Sequence, residues 1–146
     1  QAWEGVQWPG RLEVISTQPL IILDGAHNPH AVAPLVATIK ERYGQLDKQV
    51  LFTCIQTKAI EEMLELWSGL EKSQLTLTTF EDSRAYSVRD MQEIAHQKGL
   101  PYQEWKVFLT QYLERKLQQS DLLLVTGSLY FLAQVRAFLI EEISRR

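Results

Sequence analysis

The chain has 146 residues, 45% hydrophobic and 23% charged, which suits one globular domain with its own core. Its net charge of −3 offers no electrostatic case for nucleic acid, and no apolar run approaches the roughly 20 residues that a membrane span needs. The single cysteine, Cys54, excludes an internal disulfide framework and a cysteine-built zinc site.

The sequence starts at Gln1 and stops at Arg146, just past a helical pattern; we expect a piece of a longer protein. Residues 1–10, with Trp3, Trp8 and Pro9, show no periodicity and read as a lead-in linker. Residues 11–16 alternate polar and apolar side chains, the pattern of a strand with one wetter face, placed at a sheet edge. Thr17, Gln18 and Pro19 make a turn.

Four apolar residues, Leu20 to Leu23, then run into Asp24, Gly25, Ala26, His27, Asn28 and Pro29. An apolar run bounded by turn residues reads as a buried strand. Asn followed by Pro is a helix-start signal, because Asn caps free N–H groups and Pro fits the first helical position. Ligands of open α/β sheets bind outside the carboxyl ends of strands, which makes Asp24 and His27 candidate site residues. The same residue types also serve simply to close a turn.

The helix that follows presents Val32, Leu35, Val36, Ile39 and Tyr43 on one face and stops at Gly44. Pro34 predicts an irregular first turn or a later start, since an interior proline costs about 3 kcal/mol. A third strand is expected over residues 50–55, with Cys54 in the core. Thr57 is expected to cap a helix bearing Ile60, Met63, Leu64, Trp67 and Leu70. A fourth strand covers residues 74–80. Ser87 and Asp90 form a capping-box pattern opening a helix that ends at Gly99, and a further helix carries Trp105, Phe108, Leu109 and Tyr112. Leu122 to Val125 form a second buried strand that again runs into a small polar turn, Thr126-Gly127-Ser128, and the last helix opens at Leu129.

Strands alternating with helices predict an α/β fold: a mostly parallel, Rossmann-like sheet with helices on both faces. The strands ending at Asp24 and Thr126 share one design, an apolar run, a glycine turn and a helix N-terminus. Such N-termini attract phosphates and carboxylates, so neighbouring strands would give one anion-binding rim. The sequence contains neither G-x-x-x-x-G-K-[ST] nor G-x-G-x-x-G, so the chain alone cannot build a P-loop nucleotide site. Its three histidines, His27, His30 and His96, lack the spacing of a resident metal site, and the last two are expected to face solvent. Ser128 has no base partner that would make it a nucleophile.

Three motifs point further: Trp8-Pro9-Gly10-Arg11-Leu12-Glu13, Leu23-Asp24-Gly25-Ala26-His27-Asn28-Pro29, and Val125-Thr126-Gly127-Ser128-Leu129-Tyr130. In this order they resemble folylpolyglutamate synthase, including its bifunctional dihydrofolate synthase form, and more distantly the Mur peptidoglycan-precursor ligases. The likeness covers only the C-terminal domain, of the Mur ligase C-terminal type. It implies that residues 1–146 are one glutamate-ligase domain, partnered by its own N-terminal ATPase domain. That missing domain would carry the P-loop, the Mg2+ ligands and most of the folate site.

The implied reaction is ATP-dependent ligation of L-glutamate to the glutamate tail of folate through an acyl phosphate, in a cytoplasmic enzyme that uses ATP and Mg2+. The isolated domain would be inactive. By position, Arg11 would reach the ATP phosphates and Asp24 the nucleotide, at its ribose hydroxyls. His27, the catalytic candidate, would lie near the glutamate and the transferred phosphate. Ser128 and Tyr130 would line the glutamate pocket. Lys58 and Arg84 also match family positions without an assigned role, while residues 54–58 depart from the usual loop. The competing readings are a non-catalytic α/β module that binds a nucleotide or protein partner, and a Mur-type amino-acid ligase domain. Gly25, where Mur-type relatives often carry tyrosine, favours folate. The ligase reading requires Arg11, Asp24, His27 and Ser128 to meet on one open edge.

Overall fold

In the computed structural model of the chain, residues 10–115 and 120–146 are described; of the expected lead-in, only Gly10 falls among them. The elements run β1 (Glu13–Thr17), β2 (Leu20–Asp24), α1 (Pro29–Tyr43), β3 (Lys48–Phe52), α2 (Ile60–Ser68), β4 (Ser73–Leu77), α3 (Val88–Lys98), α4 (Trp105–Leu113), β5 (Leu122–Thr126) and α5 (Leu129–Ser144). They build one sheet in the order β1-β2-β5-β3-β4. β1 is an antiparallel edge strand, bulged between Val14 and Ser16, and the other four strands are parallel. This is the α/β architecture expected from the alternation of elements.

Successive residues of a strand point to opposite faces, and the central strands use both. Ile22, Val50, Phe52, Leu122 and Leu124 pack against α1, α2 and α3, while Ile21, Leu23, Leu51, Leu123 and Val125 pack against α4 and α5. All five residues of β5 are buried. That explains why its sequence is a continuous apolar run rather than an alternating one.

The elements depart from the sequence reading in a few places. The third and fourth strands start and end earlier than expected, their shared ladder running from Lys48 opposite Ser73 to Phe52 opposite Leu77, and the chain leaves it at the carboxyl edge. There the Thr53 N–H still donates to Thr126 O and the Thr78 N–H to Phe52 O. α2 is capped at Ala59, with no side-chain bond; the Oγ1 of Thr57, two residues earlier, instead accepts the Ala59 N–H. Pro34 lies inside α1, which starts regularly at Pro29 with Asn28 as its N-cap. Burial of Val32, Leu35, Val36 and Ile39 at about 1.5–3 kcal/mol each outweighs the proline.

Lys48, the first residue of β3, is buried, although it lies before the strand expected from residue 50. Its ammonium donates to the carbonyls of Tyr43, Gly44 and Leu46 at 3.2, 3.3 and 2.7 Å. It thus satisfies the C-terminus of α1, where cations are favoured. Lys48→Met keeps the stem but orphans these acceptors, and should cost about 2 kcal/mol of stability by urea denaturation. A loss within experimental error would show that water replaces the ammonium.

Candidate functional site

β2 and β5 are neighbours in register, Asp24 opposite Thr126, and the Gly127 N–H donates to Asp24 O at 3.3 Å. The two glycine turns therefore lie side by side at the carboxyl edge of the sheet, each leading into a helix N-terminus.

Asp24 fastens the segment before β1 to this edge. Its Oδ2 accepts the Leu12 N–H at 3.0 Å and its Oδ1 accepts the Ala26 N–H at 2.9 Å, while the Gly25 N–H donates to Gly10 O at 2.6 Å. Each carboxylate oxygen keeps a second lone pair for a ligand. Burial pushes the Asp24 carboxyl above its ordinary value, against the Leu12 and Ala26 N–H groups and the Arg11 charge, which pull it down. Ionising it therefore costs the fold stability. The cost sets in as pH rises past the unfolded value and is complete above the folded one.

His27 is exposed, and its ring Nδ1 lies 2.9 Å from Gly25 O. A carbonyl can only accept, so Nδ1 carries the proton, and in the neutral ring Nε2 is the acceptor. Asn28 Oδ1 caps α1 by accepting the Ala31 N–H at 2.9 Å.

Arg11, Asp24 and His27 line one open cleft of about 590 Å³. Leu12 and Leu129 flank it, and Ala31, Pro34, Thr38 and Arg42 of α1 extend its wall. The sequence reading passed over Thr38 and Arg42, although their spacing from Ala31 and Pro34, three and four residues apart, marks one helix face.

The other two candidates lie outside the cleft lining, so the four-residue meeting expected from the sequence is realised by Arg11, Asp24 and His27 but not by Ser128. Ser128 sits at the same edge but is buried, and its Oγ accepts the Phe131 N–H at 3.2 Å as the N-cap of α5. Tyr130 is 61% exposed and is not part of the cleft lining; the Arg84 guanidinium stacks 4.4 Å from its ring centre. Arg84 in turn grips Asp82 with two hydrogen bonds of 2.9 Å, which hold the Asp82 carboxyl down at about 2. Lys58 is exposed. Among the described residues, no group of three or more His, Cys, Asp or Glu could hold a metal ion.

The domain is thus an α/β sheet with an arginine, a carboxylate and a histidine gathered in a cleft at its carboxyl edge. The chain belongs to the family described as Mur ligase, glutamate ligase domain, whose pattern matches residues 10–129. It is 29% identical over 129 residues to the dihydrofolate synthase/folylpolyglutamate synthase of Bacillus subtilis, covering 88% of this chain and 30% of that protein. The bifunctional folylpolyglutamate synthase/dihydrofolate synthase from Yersinia pestis CO92 superposes with a TM-score of 0.74 at 27% identity, over 93% of this chain and 32% of that one. A structure of such a bifunctional enzyme with Mn, AMPPNP and L-glutamate bound matches at a TM-score of 0.72 and 26% identity, over 91% of this chain and 32% of that one. The chain thus spans about a third of the length of these relatives.

Proposed function

We propose that residues 1–146 form the C-terminal domain of a cytoplasmic ATP-dependent ligase that adds L-glutamate to the glutamate tail of folate. The observation that carries this reading is the meeting of Arg11, Asp24 and His27 in one open cleft, within a family whose relatives carry that activity in their names. An N-terminal ATPase domain completes the site. It would supply the phosphate cradle and the Mg2+ ligands, the metal balancing phosphate charge when bound.

In this scheme the γ-phosphoryl group of ATP passes to the terminal carboxylate of the folate, giving ADP and an acyl phosphate. The amine of L-glutamate attacks the acyl carbon and forms the amide bond; the acyl C–O bond breaks, phosphate leaves with the bridging oxygen, and the amine gives up a proton. Arg11 is always charged and offers paired donors, so it balances the phosphate charge. Asp24 accepts from the ribose hydroxyls with the lone pairs that Leu12 and Ala26 leave open. His27, oriented by the Gly25 carbonyl, turns Nε2 toward the glutamate amine and the departing phosphate. The first turn of α5 reaches the cleft through Leu129; Ser128 serves the glutamate pocket as the cap that sets this turn, its Oγ accepting the Phe131 N–H, and the exposed Tyr130 borders that pocket from outside the cleft.

The test is phosphate release by the full-length protein with ATP, L-glutamate and a reduced folate. We expect release that needs both glutamate and folate, and no turnover by residues 1–146 alone. Turnover by the isolated domain, or indifference of the full-length protein to glutamate, would overturn the proposal.

A further inference from the structure

We propose that Glu13 and Arg136 are positioning residues that hold Arg11 at the mouth of the cleft. The inference rests on the reading of Arg11 as the phosphate-binding group. The run from Gly10 to Leu12 precedes β1 and is bent into a demanding shape, with φ of 78° at Gly10 and 45° at Leu12. Leucine disfavours that region and stays there only when its surroundings enforce it.

Asp24 and Gly25 supply two of the fastenings, at Leu12 N and Gly10 O. The third comes from Glu13, whose Oε1 accepts the Gly10 N–H at 3.0 Å. That carboxylate is itself fixed from across the fold. Arg136 of α5 donates through Nε to Oε1 and Oε2 at 3.2 and 3.1 Å, and through Nη2 to Oε1 at 2.6 Å. Both side chains are largely shielded, 15% exposed for Glu13 and 27% for Arg136. The guanidinium holds the Glu13 carboxyl below its usual range, so the pair stays charged under ordinary conditions. The fork fixes a plane as well as a charge, and a lysine ammonium cannot copy it. Two turns before Arg136, Leu129 of the same helix lines the cleft, so α5 sets the loop and the cleft wall together. Without Arg136, Glu13 is free to swing, the Gly10 N–H loses its fixed acceptor, and the loop relaxes toward ordinary φ values, taking Arg11 with it.

The experiment is steady-state kinetics of the full-length enzyme carrying Arg136→Met, Arg11→Ala and both together. Arg136→Met should raise the KM for ATP about tenfold or more, leave the KM for L-glutamate unchanged, and add nothing to Arg11→Ala. Arg136→Lys should recover part of the loss. If Arg136→Met does not fold, Glu13→Gln tests the same link with smaller disturbance and should reproduce the ATP effect. An unchanged KM for ATP in a folded Arg136→Met or Glu13→Gln enzyme, or effects that multiply with Arg11→Ala, would overturn the inference while leaving the proposed function intact. If Arg11→Ala itself leaves the KM for ATP unchanged, the phosphate role of Arg11 falls, and the inference with it.

Discussion

Asp24→Ala in the full-length protein is expected to lower kcat/KM for ligation about a hundredfold or more, with the domain still folded. Both halves of that expectation follow from the same four lone-pair sites. Two accept the backbone N–H groups of Leu12 and Ala26, and two remain for the ribose hydroxyls that the proposed function assigns to Asp24. Each hydrogen bond to a charged group contributes about 1.5–3 kcal/mol, so losing two at the nucleotide amounts to roughly a hundredfold or more in rate. For the fold, the lost backbone bonds are partly offset, because the buried carboxylate also carries a desolvation cost. The net loss should be about 1–2 kcal/mol, against the 5–15 kcal/mol typical of a domain. Thermal melting and kinetics on the same sample separate the two effects. A variant with near-normal kinetics would remove Asp24 from the site, and one that is unfolded would make it a structural clamp only.

The largest expected effect on stability lies one strand over. Gly127 has φ of 151°, and a Cβ added there would lie 2.6 Å from the Thr53 carbonyl oxygen. That atom is backbone at the end of β3 and cannot swing aside. Gly127→Ala combines an unfavourable backbone conformation, about 1–3 kcal/mol, with overpacking of similar size, for a total of about 3 kcal/mol or more. Gly99 is the control: it also has positive φ, at 67°, but nothing lies within 4 Å of a Cβ there, so Gly99→Ala should cost only about 1–2 kcal/mol. Equal losses at the two positions would show that conformation, not the close approach of Thr53, governs Gly127. The loss should carry through to activity, since Gly127 positions the α5 cap beside Asp24.

Much of this architecture is legible in the chain because the signals are local. An apolar run, a glycine turn and an Asn-Pro pair give β2 and the start of α1; Ser87 and Asp90 give the start of α3. The shared design of the strands ending at Asp24 and Thr126 anticipates two turns at one edge, and their adjacency joins them. What the sequence conceals depends on partners far away along the chain. Glu13 and Arg136 are 123 positions apart, and nothing near either residue announces the other. Lys48 is buried only because the end of α1 delivers three carbonyls to it. Ser128 illustrates a different limit: serine suits a helix cap and a ligand contact equally well, and the sequence does not show that its Oγ already serves Phe131. The cleft wall at Thr38 and Arg42 was readable from helical spacing but is silent about which face of α1 meets the Arg11 loop.

The central claim is that Arg11, Asp24 and His27 form the face this domain turns toward ATP. A solved structure of the full-length protein with AMPPNP and L-glutamate bound tests it most directly. The Arg11 guanidinium should lie about 2.7–2.9 Å from a phosphate oxygen, with Asp24 on the ribose and His27 between the phosphate and the glutamate amine. Nucleotide bound elsewhere, with this cleft open to solvent in the closed enzyme, would contradict it.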